Sequence, residues 1–132
     1  MRTALQSTPE ELAFLMEAGI VYRDAHEFPA AETIFRGVRE LSPSSEIPDI
    51  ALGTLRLEQG DLPGAIKHYK QALEKNPQNA WGHSHLGEAH FFLRAPADAR
   101  RHLERAIALD PQGSTGKFAR GMMELLAIVE RG

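Results

Sequence analysis

The sequence predicts an all-α fold, an α-solenoid of tandem helix-turn-helix repeats. The first observation is an internal period of 34 residues, which prolines, alanines and glycines all follow. A sustained period of about 20 to 50 residues is the signature of repeat architectures. The second is that apolar residues within each period keep helical spacing. The recurring residues are Pro43, Pro77 and Pro111; Ala31, Ala65 and Ala99; and Gly19, Gly53, Gly87 and Gly121.

The period divides one predicted domain into three contiguous units and a final helix. The domain covers residues 1–132, the units are 12–45, 46–79 and 80–113, the capping helix lies at about 115–130, and residues 1–7 form a loose tail. A chain of this length can bury a core without disulfides or metals. Because a solenoid needs its apolar ends covered, we expect a free-standing domain with a helical cap.

Each unit is expected to fold as two antiparallel helices. In the middle unit, Gly60 interrupts the apolar run and marks the turn. The pair Asn76 and Pro77 ends the second helix, because proline disfavours the α conformation in the residue before it. We expect Gly53 on the first helix and Ala65 on the second to let the two backbones approach closely.

The two ends of the chain carry helix signals. Thr8 is an N-cap residue, Pro9 suits the first helical position, and Glu11 completes a capping box. In the final helix, five apolar residues share one face, which would cover the third unit. They are Phe118, Met122, Leu125, Leu126 and Val129.

Particular residue types hold fixed places in every unit. Places eight, twenty, twenty-four, twenty-seven and thirty-two carry Gly19, Ala31, Phe35, Val38 and Pro43; Gly53, Ala65, Tyr69, Ala72 and Pro77; and Gly87, Ala99, Leu103, Ala106 and Pro111. This pattern resembles the tetratricopeptide repeat family over residues 12–132. The departures stand at places four and eleven, where the family has large apolar residues and this chain has Asp49, Arg56, His83 and His90.

Composition excludes several classes of function. With 15 Lys and Arg against 18 Asp and Glu, the net charge of −3 has the wrong sign for binding nucleic acid through phosphate contacts. A basic cluster is interpreted as a solvated face; it comprises Arg94, Arg100, Arg101 and Arg105. The absence of cysteine excludes disulfides and thiolate sites. No signal peptide or membrane-spanning run is recognisable, which predicts a cytoplasmic protein without membrane insertion.

The resemblance implies a concave partner-binding surface, lined by places two, five, nine and twelve of each first helix. Most residues there are apolar or aromatic, as expected of an interaction site. We expect Trp81 and Phe91 at its centre, with Ile20, Ile50 and Leu57 as the apolar floor. The candidate residues are Met16, Ile20, Arg23, Ile50, Thr54, Leu57, Trp81, Ser84, Glu88, Phe91, Phe118 and Met122, beside Ala13, Ile47, Thr115 and Leu125. The alternative is that some of these side chains only thicken the core.

One binding mode of the family does not fit. Members that hold the acidic C-terminus of a heat-shock chaperone carry Lys and Asn at places five and nine of the first unit. Here Met16 and Ile20 stand at those places. A two-carboxylate clamp is therefore not expected.

No catalytic, cofactor-binding or metal-binding site is expected. The segment 113–117 resembles a phosphate-binding loop but has Pro111 and Phe118 where that loop needs a glycine and a hydroxyl residue. Three histidines of the third unit lack the three- or four-residue spacing of helical metal ligands, although His102 follows on the next helix. They are His83, His85 and His90.

The sequence predicts a non-catalytic binding module that takes an extended or helical apolar segment of another protein. The chain length and apolar groove also resemble the small tetratricopeptide chaperones of bacterial type III secretion, which implies a chaperone or adaptor. Two alternatives stay open. One is a self-associating scaffold, in which the groove accepts part of another copy, and the other is a regulatory subunit of an enzyme complex.

Overall fold

The structure, a computed structural model, describes residues 7–132, and these form seven α-helices and no strand. The predicted all-α repeat fold is therefore confirmed; the predicted tail falls almost entirely outside the described residues. The helices are α1 (Pro9–Asp24), α2 (Phe28–Leu41), α3 (Ile47–Glu58), α4 (Leu62–Lys75), α5 (Ala80–Phe92), α6 (Pro96–Leu109) and α7 (Ser114–Arg131).

Side-chain caps begin several of these helices where the sequence places them. The Thr8 Oγ1 accepts a hydrogen bond from the Glu11 backbone N–H at 3.1 Å, which confirms the predicted N-cap of α1. Asn79 caps α5 in the same way, since its Oδ1 accepts from the Gly82 N–H at 2.8 Å. These bonds satisfy backbone donors that the first helical turn leaves free.

Each hairpin turn contains one residue with a left-handed backbone, at positions 34 residues apart. They are His26 (φ 60°), Gly60 (φ 79°) and Arg94 (φ 64°). At each turn the next residue donates its backbone N–H to the carbonyl five residues earlier, as the Asp61 N–H does to the Arg56 carbonyl at 2.9 Å. This is the Schellman arrangement, which ends a helix with a residue in the left-handed region.

The helices stack so that each packs on its neighbours in sequence, and the first helices of successive units also touch one another. The helices of a hairpin approach closely at a glycine. A Cβ placed on Gly53 would lie 2.5 Å from the Tyr69 ring. The Tyr69 ring therefore lies directly over Gly53, and at the equivalent Gly87 the carbonyl oxygen of Ala99, the residue equivalent to Ala65, lies 3.2 Å from the Cβ position.

The polar residues at places four and eleven, which depart from the family pattern, have partners inside the stack. Asp49 is buried, and its carboxylate pairs with Lys75 at 2.6 Å and with Arg39 at 3.9 Å. Arg56 pairs with Glu32 at 2.6 Å across the α2–α3 contact. The hydrogen bond from Arg56 lowers the pKa of Glu32 to about 2. These contacts replace apolar packing with charge pairs, within the second unit for Asp49 with Lys75 and between the first two units for the other two pairs.

The core consists of three apolar clusters along the stack, one for each contact between units. The last cluster joins α7 to the third unit through Leu103 and Ala106 of α6 and Ala119 and Met122 of α7. Among residues 7–132, no helix is long and apolar enough to span a membrane.

Candidate functional site

Three aromatic side chains gather on the surface formed by the first helices α1, α3, α5 and α7, which we call the first-helix surface. Trp81 and Phe118 are 40% and 38% exposed, on α5 and α7 respectively. The His85 ring lies between them, with centroids 5.4 Å from Trp81 and 6.0 Å from Phe118. We call these residues the ring cluster. It presents two large rings to solvent, supported by a third.

Polar contacts hold the His85 ring in place. Its Nδ1 lies 3.1 Å from the Glu88 carboxylate, and its face stacks on Tyr69 at 5.7 Å. The Tyr69 hydroxyl lies 3.0 Å from Thr54 Oγ1, and burial raises the pKa of this hydroxyl. The ring cluster is thus preorganised by side chains from α3, α4 and α5.

The structure places the predicted site residues in three different environments. Trp81 and Phe118 are exposed. Seven residues are half-buried: Met16, Ile20, Arg23, Thr54, Leu57, Glu88 and Phe91. Three are buried: Ile50, Ser84 and Met122. Of the four further residues predicted to line the groove, Ala13, Ile47 and Leu125 are exposed and Thr115 is half-buried.

The buried residues correct the expected floor of the groove. Ile50 is 0% exposed and packs with Leu86 and Ala89 of the next first helix. Ser84 donates its hydroxyl to the Trp81 carbonyl at 2.8 Å and points into the stack. Because α5 packs over α3, side chains at place five of these helices lie between the helices and offer no surface to a partner.

Phe91 also lies away from the predicted centre. It packs against the α6–α7 cluster and lines a cleft of about 610 Å³ beside the α5–α6 turn. Phe92, Leu126 and Val129 line the same cleft. Trp81 and Phe91 therefore occupy different regions, near the two ends of α5.

His85 is not among the predicted site residues. The sequence indicated it only as a candidate metal ligand, whereas the structure places it at the centre of the ring cluster. Its position in the unit could have indicated this location, since His85 stands at place six, one residue after the buried Ser84 at place five. One residue turns a helix by about 100°, which is enough to move a side chain from the core to the surface.

The other three histidines of this region meet between α5 and α6. His83 Nδ1 lies 3.2 Å from His102 Nδ1, and His90 stacks on His102 at 5.8 Å. Burial lowers the pKa of all three rings, that of His102 to about 4. Among residues 7–132, no group of three or more His, Asp or Glu side chains could hold a metal ion.

The basic cluster is largely paired. Arg101 meets Asp98 at 2.9 Å, Arg105 meets Gln78 at 3.2 Å, and Arg100 pairs with Glu130 of α7. These three guanidinium groups are therefore bound to side chains of the same chain. This arrangement agrees with the interpretation as a solvated face.

Comparison with known proteins gives the class of the chain. A family profile described as TPR repeat matches residues 53–92. Tetratricopeptide repeat protein 36 of Danio rerio is 34% identical over 88 residues, which cover 66% of this chain and 43% of that protein. The chain spans 12 to 43% of the length of the first curated relatives that it matches. The family profile, the repeat pattern and the stacked hairpins agree, and the chain is similar to tetratricopeptide repeat proteins in both sequence and fold.

Two solved structures show how closely the fold agrees. PcrH of Pseudomonas aeruginosa superimposes with a TM-score of 0.81 at 20% identity, covering 96% of this chain and 99% of PcrH. The Yersinia enterocolitica type III secretion chaperone SycD, solved with a peptide of the translocator YopD, gives 0.80 at 16% identity, covering 93% of this chain and 97% of SycD. The chain is thus similar in fold to a secretion chaperone, and at this identity the likeness concerns the fold.

Proposed function

We propose that this protein is a non-catalytic interaction module that binds a segment of another protein on its first-helix surface. The observation that carries the proposal is the ring cluster, where Trp81 and Phe118 are exposed side by side around His85. Aromatic side chains are enriched where proteins bind one another, because they bury a large area at a small cost in conformational entropy.

The chemistry of the surface indicates the kind of segment that fits. The exposed rings favour an apolar side chain of the partner, packed against Trp81 and Phe118 over the His85 ring. The carboxylate of Glu88 lies beside His85 and can accept a hydrogen bond from the partner backbone. We therefore propose an apolar segment, extended or helical, as the ligand.

A chaperone or adaptor role is the finer proposal. SycD and PcrH, which share the fold, are described respectively with a translocator peptide and with the chaperone-binding region of PopD. A protein that holds an apolar segment of another protein would shield that segment from aggregation until it assembles. The absence of Lys and Asn at Met16 and Ile20 favours an apolar ligand over an acidic C-terminus.

The test is co-purification from the native host with wild-type protein and Trp81→Ala, followed by mass spectrometry and titration of the captured protein. Binding energy concentrates in a few aromatic anchors, so Trp81→Ala should cost ~2 kcal/mol or more, roughly 30-fold in affinity. Arg101→Glu is the matched control, because Arg101 is exposed and its ion pair is with Asp98, which is also exposed.

Trp81 is also the one tryptophan of the chain, so its fluorescence reports on this surface directly. Binding should shift its emission to shorter wavelength and protect it from iodide quenching, with little dependence on salt. An affinity that falls with Arg101→Glu and with salt, but not with Trp81→Ala, would place the site on the basic cluster and refute the proposal.

A further inference from the structure

Helix α7 is apolar on two opposite sides. One side is buried against α5 and α6 through Gly116, Ala119, Met122 and Leu126. On the other side, Leu125 and Ile128 are 49% and 55% exposed, beside Phe118. A helix that is apolar on both sides is normally covered on both. Among residues 7–132, nothing covers this second side.

Gly121 lies at the centre of the exposed side and repeats the register of Gly19, Gly53 and Gly87. At Gly53 and Gly87, a Cβ would collide with the Tyr69 or Leu103 side chain of a packed helix. At Gly121, a Cβ would meet nothing within 4 Å. A glycine inside an exposed helix is less favourable than alanine. Gly121 therefore offers space for a second helix to pack closely on α7, and within residues 7–132 no helix occupies that space.

The residues around Gly121 would be complementary to the same residues of a second, antiparallel copy of α7. Lys117 and Glu124 lie on one edge of the exposed side, before and after Gly121, and residues seven apart share an edge of a helix. Phe118 and Leu125 bracket Gly121 in the same way on the other edge. No ion pair within residues 7–132 uses Lys117 or Glu124. We call these five residues and Ile128 the outer face of α7.

We propose that a second copy of this chain packs on the outer face of α7, as an antiparallel helix pair that crosses at Gly121. A two-fold axis at Gly121 reverses the second helix, so a residue before Gly121 meets one after it. Lys117 then meets Glu124 of the partner subunit, and Phe118 meets Leu125 of the partner subunit, twice each. A self-complementary patch of this kind is what a two-fold dimer requires.

The dimer is expected to be of moderate affinity. One helix pair buries less area than the roughly 1,600 Å² of a standard interface, and weak, transient complexes are found at this low end of interface size. The outer face adjoins the ring cluster at Phe118, which belongs to both, and for that reason Phe118 is not used as a test position. The test positions Lys117, Gly121 and Glu124 lie outside the ring cluster.

The decisive experiment is charge reversal followed by mixing, measured by sedimentation velocity at about 5 to 300 µM protein. Wild type should shift from monomer to dimer over this range. Lys117→Glu alone and Glu124→Lys alone each bring like charges together in both copies of this pair, and each should weaken the dimer at least about tenfold. An equimolar mixture restores both opposite-charge pairs, so it should regain the wild-type dimer.

Gly121→Gln tests the crossing itself. The side chain enters open space in the monomer, so circular dichroism should be unchanged, while the dimer should be lost. Lys67→Glu, an exposed charge reversal on α4, is the matched control and should dimerise like wild type. A wild type that stays monomeric throughout the range, or a mixture that fails to recover the dimer, would overturn the proposal. Dimerisation unaffected by Gly121→Gln would overturn it equally.

Discussion

Within each hairpin, one large side chain of the second helix covers one glycine of the first. Phe35 covers Gly19, Tyr69 covers Gly53 and Leu103 covers Gly87. All three large side chains are fully buried. Packed interiors have no spare volume, so the missing Cβ at each glycine sets the distance between the two helices.

Gly53→Ala should therefore destabilise the protein, although alanine is the better helix former. The added methyl group would lie 2.5 Å from the Tyr69 ring, which is buried and cannot move aside. We expect a loss of ~1–3 kcal/mol in the free energy of unfolding, measured with urea. Gly121→Ala is the matched control, measured at low protein concentration. It should gain ~0.5–1 kcal/mol, because that glycine faces open space. Equal effects of the two substitutions would contradict this packing.

The histidines between α5 and α6 should make stability depend on pH. His102 has an ordinary pKa of 6.5 when unfolded and about 4 in the fold, where burial comes first and the positive charge of Arg101 second in lowering it. As the pH falls from about 6.5 to 4, the unfolded state therefore binds a proton that the folded state does not. The free energy of unfolding should decrease over this window.

A variant separates His102 from the carboxylates. His102→Asn keeps an N–H donor for His83 but does not titrate, so its unfolding free energy should decline less between pH 6.5 and 4. Glu32, with its pKa lowered to about 2, loses its stabilising effect only below about pH 4.5. An unchanged slope in His102→Asn would show that this ring does not govern the acid response.

At the scale of elements, α7 packs on the third unit. Its buried side packs on Leu103 and Ala106, with Phe91 and Ile107 at the margin. Arg100 of α6 also pairs with Glu130 near the end of α7. Repeat proteins need such a terminal helix because the last unit otherwise exposes the apolar side that would meet a further repeat.

Truncation after Gly113 should expose this cluster. We expect the shortened chain to aggregate or to bind a hydrophobic dye such as ANS, as states with exposed apolar surface do. Light scattering and dye fluorescence measure the two outcomes. A truncated chain that stays monomeric and melts at the wild-type temperature would show that α7 is not needed to cover the apolar end of the third unit.

At the scale of the whole molecule, each helix packs only on nearby helices in the sequence. Stability in such a stack is approximately the sum of each unit and its contacts with its neighbours. Within residues 7–132, the middle unit has a neighbour on both sides, whereas α1 and α7 each have neighbours on one side. Local stability should therefore be greatest in the centre and decrease towards both ends.

Native-state hydrogen exchange measures this gradient. Amides in α3, α4 and α5 should exchange slowest, and those of α1 and the C-terminal half of α7 should exchange fastest. Dimerisation through α7 should slow exchange in α7 at high protein concentration and leave α1 unchanged. Equal protection of α1 and α4 would contradict a stack held together by neighbouring contacts.

The repeat period was sufficient to predict much of this protein. It predicted the helices, the hairpin turns and the close approach at Gly53, because local spacing and turn residues determine these features. The Thr8 cap was also predictable, since it depends on a bond between residues three apart. The ring cluster was predictable only in part, through the positions of Trp81 and Phe118.

The remaining features depended on how successive units pack. The sequence says which side of a helix a residue occupies, but the angle at which α5 crosses α3 decides whether that side is open. Ile50 and Ser84 are buried for this reason, while His85, one residue beyond Ser84, reaches the surface. Likewise Asp49 could be recognised as an exception in the pattern, but its pairing with Lys75 exists only because the fold brings α4 beside α3. The sequence by itself determined the helices, turns and caps, because these depend on residues close together in the chain. The tertiary structure decided the environment of each side chain, because that depends on contacts between residues far apart in the chain.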